Sequence, residues 1–209
     1  MRIAIIGAGN VGGGLGRAAV QAGHDVVLTA ARPEKAQAVA AEMGATAAET
    51  NTAAVQGAQL VVLAVPGTEA PAVAAEIAPA LGGAVVVDAT NSLNATYSDL
   101  AIDGTSGAEA VQRSAGGAPV VKAFNTVFAS RYAAPAEQGT PLQVLLAGDD
   151  AAAKALVAEL AGSLGFSPID AGSLRYARSL EEIAFLNISL NAANGWAWQS
   201  AFQLVGPTA

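Results

Sequence analysis

The 209-residue chain has no cysteine, a single histidine and few aromatic residues, 5% in all. Lacking cysteine, it can form no disulfide, thiolate nucleophile or cysteine-ligated metal site. One histidine also leaves little from which to build a metal centre. Charge is sparse as well: 13% of residues are charged, and seventeen acids against ten bases give a net of −7. That balance argues against a surface for nucleic acid or for an anionic membrane. No apolar run approaches the roughly 18 residues that cross a bilayer. The opening "MRIAIIGAGN" passes from a strand into a glycine turn without a basic leader. These absences together point to a cytoplasmic protein whose partners are small molecules.

What the chain does have is apolar residues, 53% of the total, and 23 glycines. Its pattern alternates short apolar runs with helical stretches. Strands are expected at residues 2–6, 25–30, 45–47, 60–65, 84–90 and 118–126. Helices are expected at residues 10–22, 33–43, 52–56, 69–81 and 106–114, with Pro33 suited to a first helical position. Runs such as "LVVLAV" lack polar alternation, as in strands covered on both faces. A smaller strand–helix–strand series follows residue 135. Asp149 or Asp150 is placed to cap its helix, and a long helix is expected from about Ser173. The fold class is α/β: a Rossmann-type, doubly wound, mainly parallel sheet with a smaller α/β C-terminal part. The expected division is 1–127 for dinucleotide binding and 128–209 for substrate and dimer contacts.

"GAGNVG" at residues 7–12 matches G-x-G-x-x-G directly after a strand and at the opening of a helix, the context in which that spacing carries meaning. Gly7 permits the tight turn, Gly9 lets a pyrophosphate approach the backbone, and Gly12 allows helix and sheet to meet closely. Asn10 and Val11 complete the turn. At the end of the second strand, "LTAARPEK" carries no acid to accept from the ribose hydroxyls of NAD. It has Thr29 and then Arg32, 20 residues beyond Gly12. Arg32 either reaches the 2′-phosphate of NADP or points into solvent at a helix start.

Few residues suit proton transfer. His24 lies in the turn "AGHD", at the wrong end of the second strand for a ligand site, and is expected to be structural. Lys122, within "VVKAF", either donates a proton or pairs with a carboxylate. Tyr97, Tyr132 and Tyr176 form no Tyr-x-x-x-Lys spacing. Asn187, Asn191 and Asn194 share one helix face. They either line a substrate cleft or are satisfied amides at a packing or dimer interface. The apolar remainder of that helix favours a homodimer.

The stretches "IAIIGAGNVGGGLGRAAVQAGHDVVL", "LVVLAVP", "VVVDATNSL", "VVKAFNT", "AGDDAAAKALVAELAGSLGFSPIDAGSLRYAR" and "NISLNAANG" occur in the order found in the F420-dependent NADP oxidoreductases. The chain resembles that family over nearly its whole length. The resemblance implies hydride transfer between NADP(H) and the deazaflavin F420. It puts NADP along residues 7–12 and beside the second strand, with Lys35 at a basic position the family uses. It puts the nicotinamide near Val65, Pro66, Thr90, Asn91, Ala123 and Asn125. It also implies an F420 cleft touched by Gly67, Phe124, Thr126, Asn187 and Asn191. The chain departs from the family pattern twice: Ala30 and Ala31 stand where a Ser-Arg pair is usual, and Gly67 replaces a bulky aromatic. A reductase of another small acceptor (imine, carbonyl or quinone) and a non-catalytic NADP-binding protein stay open as alternatives.

Overall fold

The computed structural model describes residues 1–102 and 104–206. The last three residues of the C-terminal part expected over 128–209 lie outside the described residues. The chain opens with β1 (Arg2–Ile6), α1 (Asn10–Gln21), β2 (Asp25–Thr29), α2 (Pro33–Met43) and a two-residue β3 (Thr46–Ala47). It continues through α3 (Asn51–Val55), β4 (Leu60–Leu63), α4 (Ala70–Ile77), β5 (Val85–Asp88), α5 (Gly107–Ser114) and β6 (Val120–Lys122). A small hairpin, β7 (Ala136–Glu137) with β8 (Thr140–Pro141), was not expected from the sequence. It leads to β9 (Gln143–Gly148), α6 (Ala151–Ser163), β10 (Ser167–Gly172) and α7 (Ala177–Asn194).

Eight strands form one sheet in the order β10-β9-β6-β5-β4-β1-β2-β3. Every neighbouring pair is parallel except β6 with β9, which is antiparallel. This is the Rossmann-type α/β fold, extended at one edge by β9 and β10. The chain leaves β1 towards β2 on one side and returns beside it as β4 on the other. That reversal opens a crevice at the carboxyl ends of β1 and β4, where ligands of such sheets bind.

The uninterrupted apolar strands follow from burial on both faces. Ile3 and Ile5 of β1 belong to one buried apolar cluster with Leu15 and Ala19 of α1 and Val157 and Leu160 of α6. Ala4 and Ile6, alternating with them, belong to a second cluster on the opposite face with Val55, Ala74, Ile77 and Val111. Three elements differ from the sequence expectation for identifiable reasons. Helix α4 stops at Ile77 and gives way to a single 3₁₀ turn, because Pro79 has no N–H to offer the carbonyl of Ala75. Strand β6 is cut to three residues because Phe124 adopts a positive φ of 67°. The last helix begins at Ala177, after a 3₁₀ turn whose first residue, Leu174, donates its N–H to Asp149. Asp149 is thus used there, and Asp150 caps α6 by accepting from Ala153 at 2.8 Å.

Candidate active site

At the end of β1, Gly7 turns with φ 116° and donates its N–H to the Thr29 carbonyl at 2.8 Å. A Cβ on Gly7 would run into the Ala64 carbonyl, and one on Gly12 into the Gly7 carbonyl. Gly9, which precedes α1, faces open space instead. The first bond within α1 runs from Gly13 N to Gly9 O at 2.8 Å. No side chain caps this helix start, and no acid lies in its first turn. The N–H groups of Asn10, Val11 and Gly12 therefore project from the positive end of the helix with room in front of them, the requirements for a pyrophosphate.

The two rims of the crevice differ. On the β2 side Thr29 is buried, and its carbonyl braces the glycine turn. Beyond it Arg32, extended at φ −111° and ψ 106°, precedes α2, and Lys35 lies in the first turn of that helix; both are exposed. On the β4 side Val65 is half-buried, Pro66 is exposed and Gly67 is buried. A Cβ on Gly67 would lie within 2.7 Å of main-chain atoms of Asn91 and Ser92. In this backbone the family's aromatic residue has no place, because the loop after β5 occupies it.

That loop is held by a buried ionic network. The Lys122 ammonium, fully buried, donates to Asp88 Oδ2 at 2.9 Å, Glu181 Oε1 at 2.8 Å and the Thr90 carbonyl at 2.6 Å. Asp88 Oδ1 accepts both the N–H and the hydroxyl of Thr90, at 3.0 and 2.7 Å. Burial alone would lower the Lys122 pKa, but the two carboxylates outweigh it and hold the ammonium above its ordinary value. All three of its protons are engaged, two of them by carboxylates. His24 sits at the far end of the sheet between the N-terminal amine and Ser163, at 3.2 and 2.8 Å.

Beside the network, Asn91 and Asn125 exchange hydrogen bonds: Asn91 Nδ2 donates to the Asn125 carbonyl and Asn125 Nδ2 to Asn91 Oδ1, both at 3.0 Å. Asn125 Nδ2 also donates to the Leu180 carbonyl of α7. Its two acceptors fix the orientation of this amide and leave Oδ1 buried without a protein partner. Asn91, Asn125, Phe124, Thr126, Val11 and Asn187 share a cavity of about 170 Å³ with Ala184 and Ile188 of α7. Ala123 is fully buried behind it, and Phe124 packs edge-to-face with Tyr132 and Phe166. Burial raises the Tyr132 pKa.

The asparagine stripe divides. Asn187 borders the cavity, yet its amide is bound to Ser200, with Nδ2 donating to the carbonyl at 3.1 Å and Oδ1 accepting from Oγ at 2.7 Å. Asn191 lies outside that cavity lining. Fully buried, it donates to Ser200 Oγ and Asn187 O and accepts from Trp198 N. Its satisfied-amide reading is the one the structure takes, with this chain's own tail as the partner. The tail turns back at Gly195 and is held by Ser130 and Gln143. It brings Trp198 against Phe128 at the edge of an open groove of about 720 Å³ along α1. Glu181 and Ser200 carried no signal in the sequence: Glu181 meets Lys122 across 59 residues of chain, and Ser200 meets Asn187 and Asn191 through the turn of the tail.

A glycine turn at a Rossmann switch point, with an open helix start and a cavity beyond it, defines a dinucleotide-binding protein of the oxidoreductase type. The family model described as NADP oxidoreductase, coenzyme F420-dependent, matches residues 2–92. The F420-dependent NADP reductase of Methanothermobacter marburgensis is 30% identical over 93% of this chain and 94% of its own length. The crystal structure of a candidate F420-dependent NADP reductase from Arthrobacter sp. FB24 superposes with a TM-score of 0.86 and 31% identity, covering 98% and 99% of the two chains. Rat metalloreductase STEAP3 is also 30% identical, over 87% of this chain; the chain spans only 36% of that protein. The chain belongs to the F420-dependent NADP oxidoreductase family and is an NADP-dependent oxidoreductase.

Proposed function

We propose that the protein transfers a hydride between NADP(H) and the deazaflavin F420. The observation that carries this reading is the match to F420-dependent NADP reductases over nearly the whole of both chains. The site's chemistry supports it. The buried charged groups Asp88, Lys122 and Glu181 are spent on one another. When bound, NADPH supplies a hydride from nicotinamide C4, and the deazaflavin accepts it at C5 while taking one proton from water. The chain's part is to position two rings and exclude solvent.

In this reading Gly9, Asn10, Val11 and Gly12 hold the pyrophosphate, and Arg32 and Lys35 take the 2′-phosphate in place of the missing Ser-Arg pair. Asn91, Thr126 and the unpartnered Oδ1 of Asn125 meet the ring end of the ligands. Gly67 shapes the floor through its contact with the loop after β5. Residues 128–209 form the acceptor-side part. The exposed Leu186, Trp196 and Phe202 give this part an apolar surface on which two copies pair.

Mixing the protein with NADPH and F420 and following loss of the F420 visible absorbance tests the assignment. Turnover supports it, and no turnover with either NADPH or NADH overturns it. A second reading, reduction of another small acceptor, draws on Gly67, where the family's aromatic is lost. A panel of imines, carbonyls and quinones with NADPH decides between the two.

A further inference from the structure

The Lys122 network is costly as a stability device. Three ionisable groups are buried together, and replacing such a set by apolar residues is often neutral or stabilising. Its formal charge is one cation against two anions. The excess negative charge meets the start of α5: Glu181 accepts from Gly107 N at 3.1 Å and Ala108 N at 3.4 Å, where the helix dipole is positive. What the network achieves is geometric. The N–H, hydroxyl and carbonyl of Thr90 all bond into it. The next residue, Asn91, is locked to Asn125, and Asn125 to Leu180, the neighbour of Glu181. The Leu180–Glu181 turn of α7 is thus tied twice to the loop after β5.

We propose that Lys122 and Glu181 are a positioning pair. They fix the Thr90–Asn91 wall of the cofactor site against α7, and so set the place of the nicotinamide end relative to the cavity wall formed by Ala184 and Ile188. The pair touches neither ligand; it acts through Thr90 and Asn91. The inference rests on the NADP site described above and deepens it.

Glu181→Gln keeps the shape of the side chain and removes one charge, and Glu181→Met removes the tie to Lys122 altogether. Calorimetric titration compares NADPH with adenosine 2′,5′-bisphosphate, which carries the adenine half and the 2′-phosphate but no nicotinamide. In wild type both bind; failure of NADPH to bind there overturns the site assignment itself, before any variant is made. In the variants, NADPH is expected to bind about tenfold more weakly, the scale of one lost ordering contact. The fragment should bind within about twofold of wild type, since its contacts lie away from the pair. Equal weakening of both ligands, or no change in either, overturns the positioning role, since a merely structural Glu181 does not separate the two halves of the cofactor. If Glu181→Gln does not fold, Glu181→Met, which leaves a neutral Lys122–Asp88 pair, carries the same comparison.

Discussion

Two polar regions sit at the carboxyl end of the same sheet and handle their hydrogen-bonding groups in opposite ways. At the β1–α1 turn, helix N–H groups are left open in front of Gly9, with no side chain capping them. At the β5–β6 end, Asp88, Lys122, Thr90 and Glu181 saturate one another. The first region leaves its donors unpaired; the second spends its charges on holding the Thr90–Asn91 loop against α7. Only the first has the means to bind an anion, and only the second depends on every member being present.

The strongest way to break this contrast is Lys122→Met. It leaves two carboxylates facing each other in the interior, and removal of one partner from a buried ionic set costs about 3–5 kcal/mol. Urea unfolding should show a large share of a typical domain's stability of about 5–15 kcal/mol lost. A variant as stable as wild type would mean that water or relaxation compensates the carboxylates. At the glycine turn, Gly9 and Gly12 should part company. Gly12→Ala drives a Cβ into the Gly7 carbonyl and is expected to cost roughly 1–3 kcal/mol, as overpacking does. Gly9→Val, with open space before it, should leave the melting temperature nearly unchanged but abolish measurable NADPH binding. Loss of stability in both, or normal binding in Gly9→Val, would erase the distinction.

A smaller effect is expected at the rim. Arg32→Ala should raise the KM for NADPH about tenfold, the scale of one charged hydrogen bond to phosphate, and leave that for NADH unchanged. Steady-state kinetics with both cofactors checks it, and equal shifts would remove Arg32 from the 2′-phosphate site. The smallest effect belongs to a surface pair behind α5. Arg178 binds both oxygens of Glu109, at 2.8 and 2.7 Å, and with the Ser106 and Thr105 hydroxyls holds its carboxyl down at about 2, against an ordinary 4.5. A depressed carboxylate stabilises the fold fully above its unfolded pKa and loses that contribution as pH falls through the folded one. Between pH 4.5 and 2 the wild type should therefore lose stability that Arg178→Ala has already lost at neutral pH. Both groups are partly exposed, so the difference in urea midpoint should be small and shrink further in high salt.

Much of the frame is legible in the sequence. The runs "RIAII", "LVVL" and "VVVD" carry no polar alternation, so they had to lie between two helical layers. "GAGNVG" between a strand and a helix announced the turn in which Gly7, Gly9 and Gly12 have three different tasks. Helix ends were less legible where a distant partner decided them. Leu174 is held by Asp149, which sits 25 residues earlier, and no local spacing shows that. The asparagine face was visible as a pattern, but its use was not. Ser200, which satisfies Asn187 and Asn191, reaches them only because the tail doubles back at Gly195.

The sequence by itself determined the layered α/β fold, the glycine turn and the family, because periodicity, glycine spacing and motif order are local and survive in one dimension. The tertiary structure alone decided what the charged and polar residues do. That Lys122 pairs with Asp88 and Glu181, 34 and 59 residues away, is visible only in the fold. Gly67 was an unexplained departure until the Asn91–Ser92 backbone filled the space of a side chain. A buried charge takes its role from whatever neighbours desolvate and pair with it, and those neighbours are brought together only by the fold.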